Sequence, residues 1–141
     1  MENKPLVALF IPYKIVDGKI LVYFQKRTRD AKRIPDLFGF FGGKVEEGEG
    51  VEEGLRREIK EELNFTLGAY EKLGLYESSK SAKHIFVSEV DENFEQKVTV
   101  LEGEYGKFLN EEEATNEPKI LESYKQILQD LYRFVRKRGK V

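Results

Sequence analysis

Between Gly43 and Phe65 the chain reads GKVEEGEGVEEGLRREIKEELNF. Val51, Leu55, Ile59 and Leu63 recur at every fourth position, which places them on one face of a helix and predicts that helix from about Val51 to Leu63. At about 100° per residue the four apolar residues fill a sector from roughly 0° to 120°, and Glu62 falls at roughly 20°. A carboxylate therefore lies inside the stripe that should face the core. Glu58 falls just outside that sector and Glu61 beyond it on the same side, so the three acids make a continuous strip beside the buried face. Packing alone gives no reason for such a strip.

Three carboxylates held this close repel one another and are costly to desolvate unless a cation compensates them, and a hard divalent ion with oxygen ligands is the natural one. Mg²⁺ leads, with Mn²⁺ as its substitute. Arg57 stands four residues before Glu61 and can restrain the acids when no metal is bound. A solvated, glutamate-rich helix accounts for the helix alone equally well; the flanking residues decide between the two. Gly43, Glu49, Arg57, Glu58, Ile59, Glu61, Glu62 and Phe65 follow the spacing G-x5-E-x7-R-E-U-x-E-E-x-G-U, where U is apolar, and the run resembles the Nudix box. The departure is Asn64 where the family has glycine, a mild change because asparagine also accepts the left-handed conformation of a helix end. The preceding Gly39-Phe40-Phe41-Gly42-Gly43-Lys44-Val45 is similar to the approach to that box, with Phe41 where many members carry proline.

The resemblance implies a Nudix-type α/β/α sandwich around a mixed β-sheet, formed by a single domain over residues 1–141. It implies a Mg²⁺-dependent pyrophosphohydrolase that cuts a phosphoanhydride bond of a nucleoside diphosphate derivative with water as nucleophile. By matching positions, Glu58, Glu61 and Glu62 are metal ligands, joined by the carbonyl of Gly42, while Glu49 and Arg57 hold the carboxylates in place. Glu102, in the segment Glu102-Gly103-Glu104-Tyr105-Gly106, is the further acid that triphosphate-hydrolysing members supply from a loop, with Glu104 as its competitor. Gly103 and Gly106 are expected to give that loop freedom to move. Lys44 is a candidate phosphate contact, and Phe38, Phe40 and Tyr105 are candidate stacking surfaces. Some branches carry a proline fifteen residues beyond the box or a tyrosine further on. Lys80 occupies the first position and Tyr76 falls too early for the second, which demotes ADP-ribose, dinucleoside polyphosphates and coenzyme A derivatives. A nucleoside triphosphate, including an oxidised purine nucleotide removed for sanitation, is the leading substrate, ahead of nucleotide sugars. A nucleotide-binding regulator without turnover should have lost one of the box acids, and all three are present.

Outside the box, residues 5–27 form two β-rich runs around Asp17-Gly18, a hairpin signal. Residues 28–50 read as a loop with a short strand in it. Residues 67–76, 82–91 and 97–109 read as strands, and a final helix is expected from about Pro118, capped by Asn116 or Glu117, with Leu121, Tyr124, Leu128, Leu131 and Val135 on one face. Arg133, Arg136, Lys137 and Arg138 complement the end of that helix rather than form a nucleic-acid arm. His84 reads as a structural residue of its strand.

Composition narrows the rest. The 141 residues are 40% hydrophobic and 35% charged, suited to one globular domain. With 26 acidic against 24 basic residues, no net field draws the chain to nucleic acid or an anionic membrane. There is no cysteine and one histidine, so a metal must sit on oxygen. No secretory or membrane-spanning pattern is present in the sequence, which points to the cytoplasm. A small-molecule nucleotide is the expected partner, and a homodimer is left open.

Overall fold

The computed structural model describes residues 4–31 and 35–139. Strand β1 (Leu6–Val16) and β2 (Lys19–Lys26) form the expected hairpin. Asp17 and Gly18 both take positive φ, 51° and 74°, the backbone that lets a two-residue turn follow the right-handed strand twist. The 28–50 segment, whose residues 32–34 lie outside the described part, holds two short strands rather than one: β3 (Phe38–Gly39) and β4 (Phe41–Lys44). Helix α1 (Val51–Leu63) has the predicted bounds.

Strands β5 (Glu71–Glu77) and β6 (Ala82–Glu89) follow, shorter or shifted by a few residues from the sequence reading. The expected strand at 97–109 is the largest correction. A helical turn, α2 (Phe94–Lys97), and an irregular stretch precede a strand confined to β7 (Tyr105–Asn110). The irregular stretch bonds elsewhere: the Thr99 and Leu101 N–H groups donate to the carbonyls of Leu63 and Glu62, at 2.9 and 2.8 Å. They satisfy the open carbonyls at the end of α1 instead of extending a sheet. Helix α3 (Glu111–Asn116) was not anticipated; Asn110 and Glu113 cap it reciprocally through side chain and backbone. Helix α4 is Glu122–Lys137, so the final helix starts four residues after Pro118. Asn116 ends α3 instead of capping α4, and Leu121 is the N-cap of α4, 37% exposed rather than part of its buried face. The basic residues near its end are paired: Arg133 with Asp130, Arg136 with Glu111 and Arg138 with Glu71.

The sheet runs β3-β2-β1-β6-β5, with β4 added to β1 and β7 to β2. β1 and β6 are parallel and the other pairings antiparallel. Side chains alternate across a strand, and β1 feeds both faces. Val7, Leu9, Ile11 and Tyr13 pack with Tyr124, Ile127, Leu128, Leu131 and Val135 of α4, whereas Ala8 and Phe10 pack with Leu55, Ile59 and Leu63 of α1. That is the expected α/β/α sandwich around a mixed sheet. A sheet buried on both faces explains why the run from Leu6 to Pro12 shows no polar alternation.

Candidate active site

Helix α1 begins at Gly50, whose N–H donates to Glu53 Oε1 at 3.0 Å, and ends at Asn64 with φ 50° and ψ 42°. Asparagine thus does the work of the expected glycine. Between these ends the apolar stripe buries Leu55, Ile59 and Leu63 completely and carries Glu62 down with it to 3% exposure. The Gly42 N–H donates to Glu62 Oε1 at 3.0 Å. One neutral donor does not offset that burial, which pushes the Glu62 carboxyl up to about 8; the nearby charges of Glu58 and Glu102 push the same way, and Arg27 opposes them. Burial likewise raises Glu58, with Arg57 working against it and Glu61 with it.

Arg57 gathers the acids. Its Nε and Nη2 donate to Glu49 Oε2 and Oε1 at 2.7 and 3.1 Å, and its Nη1 donates to Glu58 at 3.3 Å and to Glu61 at 3.1 and 3.2 Å. Nη2 also donates to the Lys44 carbonyl at 3.1 Å. This bidentate grip holds the Glu49 carboxyl below its usual range, helped by the Glu46 N–H, while the guanidinium's own value rises. The loop before α1 is thereby tied to the helix face that bears the strip.

Two adjacent glycines make room for the strip. Gly42 has φ 122°, and a Cβ there would collide with the Ala8 carbonyl, so the pairing of β4 with β1 requires glycine. At Gly43 a Cβ would lie 2.6 Å from Glu58 Oε2. The backbone of β4 and the box carboxylates therefore touch directly.

Glu58 and Glu62 line a cleft of about 200 Å³ with Leu9, Arg27, Gly42, Gly43, Lys44 and Glu102, and Phe40 and Tyr124 form an aromatic wall with centroids 4.4 Å apart. A groove of about 430 Å³ lies elsewhere, along β5, β6 and α2, but contains none of the box acids. Chemistry, not size, selects the smaller cleft. Of the residues singled out in the sequence, Gly42, Lys44, Phe40, Glu58, Glu62 and Glu102 meet there. Glu61 does not line the cleft; it is exposed and paired with Arg57. Phe38 is 4% exposed, edge-on to Phe24 and to the exposed Tyr105, and both it and Tyr105 lie outside the lining. Glu104 turns to Lys26, at 3.7 Å, whereas Glu102 lines the cleft. His84 lies on β6, outside the cleft lining, with Nδ1 2.8 Å from Lys72 Nζ, and burial together with that ammonium lowers its pKa.

Arg27, Tyr124 and Gln25 were missed. A lone arginine at a strand end carries no spacing signal, and Tyr124 reads as part of a helix stripe. Gln25 left a trace, as the polar residue in the run LVYFQ, where it is fully buried.

Among the described residues no three His, Cys, Asp or Glu side chains form a ready-made metal cage. The donor set still suits a hard cation: buried Glu62 lacks a full counter-charge, half-buried Glu58 lies beside it, and every available donor is oxygen. Glu61 would have to leave Arg57 to join them, giving up an exposed helical pair of the kind worth about 0.5 kcal/mol.

A sequence model of the NUDIX domain matches residues 9–131. The chain therefore belongs to the Nudix hydrolase family. Similar solved structures share the fold. A MutT protein from Methanosarcina mazei superposes with a TM-score of 0.70 at 19% identity, over 99% of this chain and all of its own. The NUDIX domain of Shewanella oneidensis NrtR, solved with ADP ribose, gives 0.74 at 15% identity, over 95% of this chain and 90% of that one. A MutT/nudix family protein from Enterococcus faecalis gives 0.65 at 15% identity over 78% of this chain, which spans only 45% of that longer protein. Among the described residues no helix is long and apolar enough to cross a membrane.

Proposed function

We propose that this chain is a Mg²⁺-dependent pyrophosphohydrolase whose substrate is a nucleoside triphosphate, including oxidised purine nucleotides, acting as a single cytoplasmic domain. The observation that carries this reading is one cleft in which Glu58, Glu62 and Glu102 face the cationic Arg27. Such a lining offers oxygen ligands for a metal together with a cationic partner for phosphate. Glu58, Glu61, Glu62, Glu102 and the Gly42 carbonyl would hold the metal, which would supply charge neutralisation for the phosphates and a more acidic attacking water. Glu49 and Arg57 keep the carboxylates aligned beneath the substrate. Arg27 and Lys44 bind phosphate oxygens, the Phe40–Tyr124 wall excludes water, and exposed Tyr105, backed by Phe38, offers its ring to a base.

Two features favour a triphosphate over ADP-ribose. Lys80 stands where the ADP-ribose branch has proline, and it lies in the tight turn between β5 and β6, outside the cleft. Glu102, the acid associated with triphosphate hydrolysis, lines the cleft. The deciding measurement is kcat/KM for nucleoside triphosphates, nucleotide sugars, ADP-ribose and dinucleoside polyphosphates with Mg²⁺, in parent and Glu58→Gln. Triphosphates should rank first, and Glu58→Gln or excess chelator should cut turnover by about a thousandfold. ADP-ribose ranking first would overturn the substrate, and a fully active Glu58→Gln would overturn the metal site.

A further inference from the structure

Gln25 is 0% exposed, near the end of β2, and both ends of its amide are committed. Nε2 donates to the Glu102 carbonyl at 2.8 Å, and Oε1 accepts from Arg27 Nη1 at 2.9 Å. A carbonyl can only accept and a guanidinium only donate, so one amide orientation satisfies both partners. The loop it holds is not free. The Glu104 N–H donates to the Lys26 carbonyl at 2.8 Å, and the Leu101 N–H donates to the carbonyl of Glu62 itself. Gly103 has φ 86°, and a Cβ there would lie 2.7 Å from the Lys26 carbonyl and 2.9 Å from Gln25 Cγ. At Gly106 a Cβ would strike the Tyr23 hydroxyl. In this structure the two glycines are therefore contact points at which the segment lies close against β2.

From this clasp we infer that Gln25 is a positioning residue that sets the separation between Arg27 and Glu102 across the cleft. The inference rests on the catalytic reading above, in which Arg27 meets phosphate and Glu102 meets metal. Both act through one buried amide on a sheet strand, so moving Gln25 disturbs metal affinity and substrate affinity together, through separate arms.

Gln25→Met keeps length and burial but removes both hydrogen bonds. It should raise the Mg²⁺ concentration for half-maximal activity about tenfold and KM about fivefold, in the range found when groups supporting a metal site are removed. The KM effect should vanish in an Arg27→Met background and the Mg²⁺ effect in a Glu102→Gln background, whereas a general loss of packing would persist in both. Gly103→Ala, whose Cβ would press on the Lys26 carbonyl and on Gln25 Cγ, displaces the loop and the amide together and should shift the Mg²⁺ requirement and KM in the same directions; it also serves if Gln25→Met does not fold. In metal-free protein, amide exchange at Glu104 should quicken about tenfold in either variant. The inference is overturned by parental exchange at Glu104, by effects that survive in the two backgrounds, or by a Gly103→Ala variant with parental KM and Mg²⁺ dependence. If the parent hydrolyses none of the nucleotides, the catalytic reading fails on its own, and the exchange rates still decide whether Gln25 holds the loop.

Discussion

The ion cluster around Arg57 and the one around Lys26 use the same chemistry with different charge balance. Arg57 is one guanidinium set against the carboxylates of Glu46, Glu49, Glu58 and Glu61. Lys26, buried at 7% exposure, and Lys119 share Asp36, and Glu104 completes the set, so cations and anions match. The balanced cluster ties β2 to the loop before β3 and to the segment before α4, and needs nothing further. The unbalanced one lies beside buried Glu62 and holds carboxylates in excess of its single cation, charge that a bound metal would neutralise. Excess charge of one sign against a buried face marks a site; matched charge marks a tie.

The largest test of this contrast is Glu62→Gln. Losing a carboxylate from the reacting centre should cost about a thousandfold in kcat. The amide oxygen can still accept from Gly42, and the cost of burying an anion disappears, so the metal-free variant should melt higher than the parent. The sign follows from the raised carboxyl: its ionisation weakens the fold as pH rises from the ordinary 4.5 to about 8. The advantage of Glu62→Gln should therefore be greatest above pH 8 and absent below pH 4.5, as melting curves in chelator would show. A variant that melts lower at pH 8 would mean that Glu62 is a structural anion.

Next in size is Arg57→Ala, expected to lower kcat/KM about 10–100-fold by releasing Glu49, Glu58 and Glu61. The acids it restrains then repel one another, so its Tm should fall further in chelator than in saturating Mg²⁺. An equal fall in both conditions would make Arg57 a tie like Lys26.

The smallest effect belongs to the balanced cluster. Hydrogen bonds from Lys26 and Lys119 hold the Asp36 carboxyl down to about 2, from an ordinary 3.8. Stability from a depressed carboxyl is complete above the unfolded value and is lost as pH falls through the folded one. Asp36→Asn keeps the left-handed backbone, φ 58°, and should leave activity near the parental level. It should melt lower than the parent at neutral pH, and the gap should close between about pH 5 and pH 2. A gap constant across that window would show that the charge on Asp36 contributes nothing.

Much of this was legible in the sequence, because helix periodicity and box spacing are local. Val51, Leu55, Ile59 and Leu63 determined the bounds of α1 and, by the geometry of a single helix, placed Glu62 on the buried face beside Glu58. Asp17-Gly18 determined the hairpin, since the turn needs positive φ at both residues. The misread segments were those whose conformation depends on distant partners. Residues 98–104 carry β-branched and apolar residues, yet the Val98 N–H bonds to Phe94 of α2, those of Thr99 and Leu101 to the end of α1, and that of Glu104 to the last residue of β2, so no regular ladder forms. The buried amide of Gln25, the approach of Arg27 to the acids and the pressing of Gly103 onto Lys26 were likewise decided only by tertiary structure. Each joins residues remote in sequence or depends on which way a strand end faces, and no local pattern encodes that; hydrogen-bond satisfaction across the folded sheet does.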